Sequence, residues 1–427
     1  MDLGIKNSWN TYWFARVAPI GFALFRIAFG LVLLLYHVPR LWYVSELYTR
    51  DGYLFPMRLF FVLHLPVLSF PWILLFNIIL ILAIIFFIVG YKTRYAAVII
   101  FVLHTYLSLL ERFSTKGYGT IMIIYSLLII WSPCAESFSV DAAIKRFRRI
   151  IKGASVHERS SYSRVPVTMQ RIMLWQLADI YFFNALSKLI WGGQGWFNGQ
   201  HLLNIYRDTE NFARPFALPF LSVFKSLPIA LGTLIPSTVL FIAFGLMRRN
   251  ERPYAIMFGI IYHLFALITT TVPYVFTFLI FSLYIIAIEP EVWERWWSML
   301  LAYFRKKSAV IFYDDACALC RRTIAAIYAA DMFERIKFVA LSSLSGAYVM
   351  VGDREINRQE LLHAMYVKSS NSPAVKGLLA YRVISRMIPL FWIFVPFLYI
   401  PGARLVGTMA YSFVARNHKN ICRMCGL

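Results

Sequence analysis

VIFYDDACALCRR, residues 310–322, sets two thiols, Cys317 and Cys320, at a change of pattern. The five residues 309–313, AVIFY, are short, β-branched and aromatic, which predicts a buried strand, whereas 321–330 is rich in helix formers. A Cys-x-x-Cys therefore opens a predicted helix directly after a predicted strand. Free backbone N–H groups and the positive end of the helix dipole favour a thiolate there, and the thiolate is the nucleophile of disulfide exchange. Arg321 and Arg322 add positive charge beside the pair. Two chemistries share this spacing, a redox dithiol and half of a zinc site, and the strand-then-helix setting points to redox.

Outward from this motif the chain is dominated by apolar sequence. Of 427 residues 60% are hydrophobic and 15% charged, and the mean hydropathy is +0.63. That is too much apolar surface for a soluble globule and predicts an integral membrane protein whose first partner is the lipid bilayer. The formal charge of +22, from 43 Lys+Arg against 21 Asp+Glu, is read as loops biased toward the cytoplasm and anionic lipid. No nucleic-acid-binding motif accompanies the charge, so no nucleic-acid partner is expected. Five cysteines, four of them in two C-x-x-C pairs, do not make a secreted disulfide framework. No signal-peptide pattern is expected at the start, because the first apolar run is too long and lacks a cleavage site.

Eight spans are predicted, at about 20–38, 71–89, 95–110, 120–133, 170–190, 226–247, 254–271 and 272–289. The alternate loops that follow the second, fourth, sixth and eighth spans carry Lys92 and Arg94, then Lys145 to Arg164, then Arg248, Arg249 and Arg252, then Arg305, Lys306 and Lys307. All four fall on one side, which predicts a multi-pass cell-membrane protein with both termini and the thiol region in the cytoplasm. Residues 289–307, EPEVWERWWSMLLAYFRKK, mix three tryptophans with charge and predict an interfacial amphipathic helix. The domain reading is thus 1–290 membrane, 291–307 linker helix and 308–427 a small α/β domain. Beyond the thiols, 335–341 is a second predicted strand, and 364–368 with 374–378 a hairpin. IPLFWIFVPFLYI, 388–400, is too short for a ninth span and is broken by Pro396, so it is expected to pack on the sheet or lie against the membrane.

The sequence Ile311-Phe312-Tyr313-Asp314-Asp315-Ala316-Cys317-Ala318-Leu319-Cys320-Arg321, followed late by Tyr411 and Ala415-Arg416-Asn417, resembles the DCC family of thiol-disulfide oxidoreductase-like proteins over roughly residues 308–425. The resemblance implies a thioredoxin-like fold, with Cys317 as the exposed attacking thiol, Cys320 as the resolving thiol, and Asp314, Asp315 and Arg321 in support. Pro373 is the candidate for the cis-proline that thioredoxins set opposite their thiols. The membrane part resembles the HTTM family, the horizontally transferred transmembrane domain related to vitamin K-dependent gamma-glutamyl carboxylase. The residues that carry this are Phe25-Arg26-Ile27 with Gly30, Asp51-Gly52, SFSVD at 137–141, YFFNALSK at 181–188 followed by Trp196 and Gly199, and His263. By this resemblance Lys188 is a candidate base acting on a quinone of the vitamin K type. Residues 113–118 read FSTKGY where a carboxylase histidine is expected, which counts against gamma-carboxylation.

For Lys188 the plain alternative is a lysine snorkelling from a helix end. A pocket is expected where the turn at Gly192-Gly193-Gln194-Gly195 brings Trp196 back toward Lys188, Tyr181, Phe182, Ala185 and Trp191, with His263 approaching. Arg26 and Asp179 are expected to pair inside the membrane. His104 and His263 are read as core residues, and Cys134 as a packed thiol. A four-thiolate zinc site joining Cys422 and Cys425 to Cys317 and Cys320 is the alternative to redox, and no metal is expected. Three functions remain open. The first is a membrane thiol-disulfide oxidoreductase acting on a protein or peptide partner, with a quinone held by the helices. The second is a quinone-dependent modifying enzyme of the carboxylase superfamily centred on Lys188. The third is a non-catalytic peptide-maturation or partner-binding protein.

Overall fold

FPWILLFNIILILAIIFFIV, Phe70–Val89, contains one polar side chain, Asn77. In hydrocarbon every main-chain N–H and C=O has to be satisfied within the segment, so such a run can only be helical. The Asn77 amide returns to its own helix and donates to the Ile73 carbonyl at 2.8 Å. Pro71 stands in the first turn, and Gly90, at φ 76°, ends the helix. The computed structural model describes residues 9–152, 162–209, 212–217, 219, 227–346, 348–351, 354–370 and 373–424. Two units emerge from it: Met1–Ser139 with Ser163–Trp293, and Val140–Tyr162 with Glu294–Leu427.

The first unit holds α1 (Ile20–His37), α2 (Phe70–Val89), α3 (Thr93–Leu110) and α4 (Arg112–Ile130). After the break taken by α5 (Val140–Ile151), which belongs to the second unit, it continues with α6 (Thr168–Ile190), α7 (Leu227–Met247), α8 (Arg252–Thr269) and α9 (Tyr274–Ala287). Each of the eight predicted spans is thus helical. Five helices are long and apolar enough to cross a membrane, and up to seven if each of two bent pairs counts as one span. The expected count of eight exceeds this. The apolar part of α4 is only Gly117–Ile130, α9 meets α10 (Pro290–Arg305) at 91°, and the second bent pair lies in the other unit. α6 is not among the five; it carries Arg171, Asp179 and Lys188.

Arg26 is fully buried in this unit. Its guanidinium donates to the carbonyls of Cys134 at 2.6 Å, Ser137 at 3.3 Å, Ile88 at 3.4 Å and Phe138 at 2.5 Å. Ile88 lies in the last turn of α2, where carbonyls lack helical partners and carry the negative end of the dipole. The others come from the SFSVD turn, in which Phe138 adopts φ 47°. Gly90 completes the site, since an added Cβ would collide with Ser139 and come within 2.9 Å of Arg26 Nη1. The expected Arg26–Asp179 pair does not form: Asp179 lies on the exposed face of α6, and Arg26 is buried with backbone carbonyls among its acceptors.

The second unit is built on a four-stranded sheet. β1 (Ala309–Tyr313) leads through α11 (Ala318–Ala330) to β2 (Ile336–Ala340), which pairs parallel to β1 with Ile311 opposite Phe338. A separate hairpin, β3 (Tyr348–Val351) and β4 (Arg354–Asn357), and the short α12 (Arg358–His363) precede β5 (Tyr366–Ser369). β5 runs antiparallel to β1 and to β6 (Val375–Lys376), giving the order β2-β1-β5-β6. The predicted second strand and hairpin are both present. α13 (Leu378–Met387), a 3-10 turn Pro389–Phe394, α14 (Val395–Tyr399) and α15 (Ala403–Met424) follow.

The sheet is covered in part by sequence from far upstream, because α5 packs on α11. Arg146 donates to the Ala329 carbonyl at 2.8 Å, at the C-terminal end of α11, and Ile150 packs on the core. α10 contributes from 294 onward. Phe304 stacks on Phe333 at 4.5 Å, so part of the predicted interfacial stripe packs on protein, while Trp296, Met299 and Tyr303 remain exposed. The 388–400 segment is not packed on the sheet as a whole, because Leu390, Trp392, Ile393 and Phe397 are exposed. Arg382 and Arg386 stack on Tyr399, their carbons 4.6 and 4.5 Å from its centroid, and hold the bend.

The Arg26 site yields a prediction. Arg26→Met leaves several buried carbonyls without a donor and should lower the stability of the detergent-purified protein by on the order of 3 kcal/mol. Asp179→Asn should change it by less than about 0.5 kcal/mol. Thermal unfolding of the two variants decides between them; equal losses would restore the Arg26–Asp179 pair.

Candidate functional site

The turn after β1 is tied down by its two aspartates. Asp314 Oδ1 accepts the Ala316 N–H at 2.9 Å, and Asp315 Oδ1 accepts the Ser342 N–H at 3.1 Å, linking the turn to the end of β2. Burial opposes ionisation of Asp315, but the Ser342 hydroxyl and N–H, with the Arg321 charge, outweigh it and hold the carboxyl below its usual value. Cys317 then stands at the N-cap of α11 with extended backbone, φ −80° and ψ 119°, as the sequence pattern predicts. Its Sγ accepts the Cys320 N–H at 3.4 Å. In this position the sulfur takes one of the donors that the first helical turn leaves free. Both cysteine side chains are half-buried, and Arg321 and Arg322 are exposed.

The thiols form one wall of a cavity of ≈ 310 Å³. α12 contributes Leu361 and Leu362, the chain before β5 contributes Met365, α13 contributes Tyr381, and α15 contributes Tyr411 and Val414. Tyr411 Oη accepts the Met365 N–H at 3.0 Å, and the Tyr381 and Tyr411 rings lie 6.3 Å apart. Gly377, at φ 63°, leaves room for the Tyr411 ring, which an added Cβ would meet at 3.3 Å. The Tyr381 phenol is pushed up to about 12, first by burial and then by Tyr411 and by charge on Cys320, so it stays protonated beside the thiols. Sequence reasoning missed Tyr381, Met365 and the α12 leucines, since nothing in their local pattern marks them. Tyr411 was marked only as part of the family resemblance and not as a neighbour of the thiols. Pro373 does not line the cavity, and no cis peptide bond occurs among the described residues.

In the first unit the expected pocket divides in two. Lys188 Nζ donates to Asn184 Oδ1 at 2.5 Å and lies 5.6 Å from the Trp196 ring centroid. Gly193, at φ 47°, makes the turn that brings Trp196 back. Tyr181 is buried, bonds His263 Nε2 at 2.7 Å and also bonds the Tyr284 hydroxyl. Seven residues separate Tyr181 from Lys188, roughly 10 Å along the helix. Trp191 points out, 84% exposed. His104 pairs with His37 Nε2 at 3.0 Å, a partner the sequence did not mark, and Cys134 is buried. No group of three or more metal-binding side chains occurs among the described residues. The Cys422 side chain and Cys425 lie outside them.

The geometry agrees with the comparisons with known proteins. The model for DCC1-like thiol-disulfide oxidoreductase matches residues 311–424, and the model for the HTTM domain matches residues 14–297. No curated protein and no solved structure matches the chain. The HTTM match takes in Arg26 with its carbonyl cup, and the DCC1-like match runs from β1 through the thiols to Tyr411. The chain therefore belongs to the HTTM family, as a multi-pass membrane protein whose HTTM domain is followed by a DCC1-like thiol-disulfide oxidoreductase domain.

Proposed function

We propose that Cys317 is the attacking thiol and Cys320 the resolving thiol of a membrane-anchored thiol-disulfide oxidoreductase whose fold is thioredoxin-like. The observation that carries this reading is the Cys317 sulfur at the N-cap of α11, accepting the Cys320 N–H at the wall of a cavity. A thiolate there meets a backbone donor and the helix dipole. It attacks a partner disulfide, forms a mixed disulfide with one partner sulfur and expels the other as thiolate. Cys320, deprotonated, then attacks Cys317 Sγ and releases the partner as its second thiolate. Two electrons pass from the pair to the partner, the pair's two protons balance the two thiolates formed, and the Cys317–Cys320 disulfide remains. Supporting the fold is the order β2-β1-β5-β6, with a parallel strand–helix–strand unit followed by an antiparallel hairpin and a helix.

The helices act as the anchor in this reading, and no step is routed through a quinone, because Lys188 stands apart from Tyr181 and His263. Lys188 is then the snorkelling lysine, held by Asn184 and Trp196 at the end of α6. The four basic loops support a cytoplasmic thiol unit and cytoplasmic termini. The cytoplasm keeps such a pair mostly as dithiol.

Two tests follow. Cys317→Ser should abolish exchange with a model disulfide, Cys320→Ser should accumulate the mixed disulfide, and Lys188→Ala should keep the rate within about twofold. Mass spectrometry after differential alkylation reads all three; loss of exchange in Lys188→Ala would move the chemistry to the membrane helices. An alkaline phosphatase fusion at Leu427 should be inactive and a green fluorescent protein fusion bright. The opposite pattern would put the thiols outside.

A further inference from the structure

We infer that the cavity beside Cys317 and Cys320 is a binding site for an apolar, ring-sized group attached to the disulfide being exchanged. This rests on the thiol-exchange reading and names its substrate class. Several of the polar atoms that face the cavity already have protein partners. Asp314 Oδ1 is taken by the Ala316 N–H, Thr323 Oγ1 donates to the Leu319 carbonyl at 3.1 Å, and Tyr411 Oη accepts the Met365 N–H. What they leave to a ligand is mainly aliphatic and aromatic surface: Leu361, Leu362, Ile324, Val414 and the faces of Tyr381 and Tyr411. Against that carbon surface a polar ligand group would lose water without gaining a partner, whereas an apolar ring loses nothing.

Two further features narrow the class. A peptide that pairs through its backbone beside the thiols needs a free main-chain donor there. The Met365 N–H, next to the thiols, is closed by Tyr411, so recognition there falls to side chains. The volume of ≈ 310 Å³ lies at the low end of small-molecule sites, which run from about 300 to 1,000 Å³, and suits a ring rather than an extended segment. The same chemistry comes from a small lipid-soluble disulfide or from an aromatic side chain beside a partner's cystine. In both cases the ring fills the cavity while its disulfide sulfur meets Cys317, and the two electrons and two protons move as in the exchange above.

The test uses the full-length reduced protein in detergent with dibenzyl disulfide, cystamine, and a disulfide-linked peptide whose cysteines are flanked by phenylalanine. Each rate is normalised to a free dithiol peptide in the same detergent. KM for dibenzyl disulfide should lie about tenfold or more below that for cystamine, as burial of one ring gives. Ala410→Trp, which narrows the cavity from α15, should raise the dibenzyl KM about tenfold more than the cystamine KM. A lower KM for the peptide than for dibenzyl disulfide assigns the ring to a protein partner, and the reverse to a small molecule. An unchanged KM ratio in Ala410→Trp, or no preference for rings in the parent, overturns the site. To separate this from failure of the exchange reading, the non-reducible dibenzyl sulfide is tested in Cys317→Ser. Protection of Cys320 from iodoacetamide supports the site even if exchange itself proves not to need Cys317, and absence of protection overturns the site.

Discussion

A buried guanidinium needs acceptors, and four of those that Arg26 uses are main-chain carbonyls. Arg26 gathers the end of α2 and the turn at 134–139 around one side chain. Each carbonyl is an atom that helix termini or turns leave over, so a single charge satisfies several orphan groups at once. The turn it fixes includes a residue at positive φ, Phe138, and abuts the left-handed Gly90. The next residue, Val140, begins α5, which covers α11 of the thiol unit. SFSVD thus supplies two of the carbonyls that Arg26 holds, at the end of the first unit's sequence before α5.

Sequence legibility follows the range of the interactions concerned. β1, the opening of α11 at Cys317, β2 and the β5–β6 hairpin are set by local pattern, and each was readable with ends displaced by no more than about two residues. The apolar runs likewise marked eight helices, because hydropathy and main-chain satisfaction act within one segment. The membership of α5 was not readable. VDAAIKRFRRII presents a basic run that reads as a cytoplasmic loop, and its packing face is only a few residues such as Ala142 and Ile150. The contact it makes, Arg146 to Ala329, spans 183 residues.

The candidate site divides along the same line. Cys317, Cys320, Asp314 and Asp315 lie within seven residues of one another and were readable as a motif. Tyr381, Met365 and Leu361 reach the cavity from three separate elements, and only the fold brings them together. The Arg26–Asp179 expectation failed because Asp179 faces outward on α6 while Arg26 is buried and reaches carbonyls that no sequence pattern marks. The grouping of Lys188 with Tyr181 and His263 failed on helix geometry. Residues seven apart share a face but stand two turns from each other, so Tyr181 meets α8 and α9 in the core while Lys188 bonds Asn184 of its own helix and lies near Trp196.

Tyr411 joins these threads at the thiols. Its hydroxyl closes the Met365 N–H, its ring lies against Gly377, which has no Cβ to displace it, and its face lines the cavity. Were this phenol absent, the Met365 N–H would be a free donor at the start of a sheet strand, and a partner backbone could bind there. With it in place the donor is spent internally and the recognition surface is carbon. The α15 residues around it continue that character outward, since Leu405, Val406, Met409 and Phe413 are exposed. A thiol pair that meets its partner across such a surface discriminates by exclusion of water rather than by hydrogen bonds. Its specificity then depends on the volume of the cavity and much less on the sequence of polar groups around the partner's disulfide.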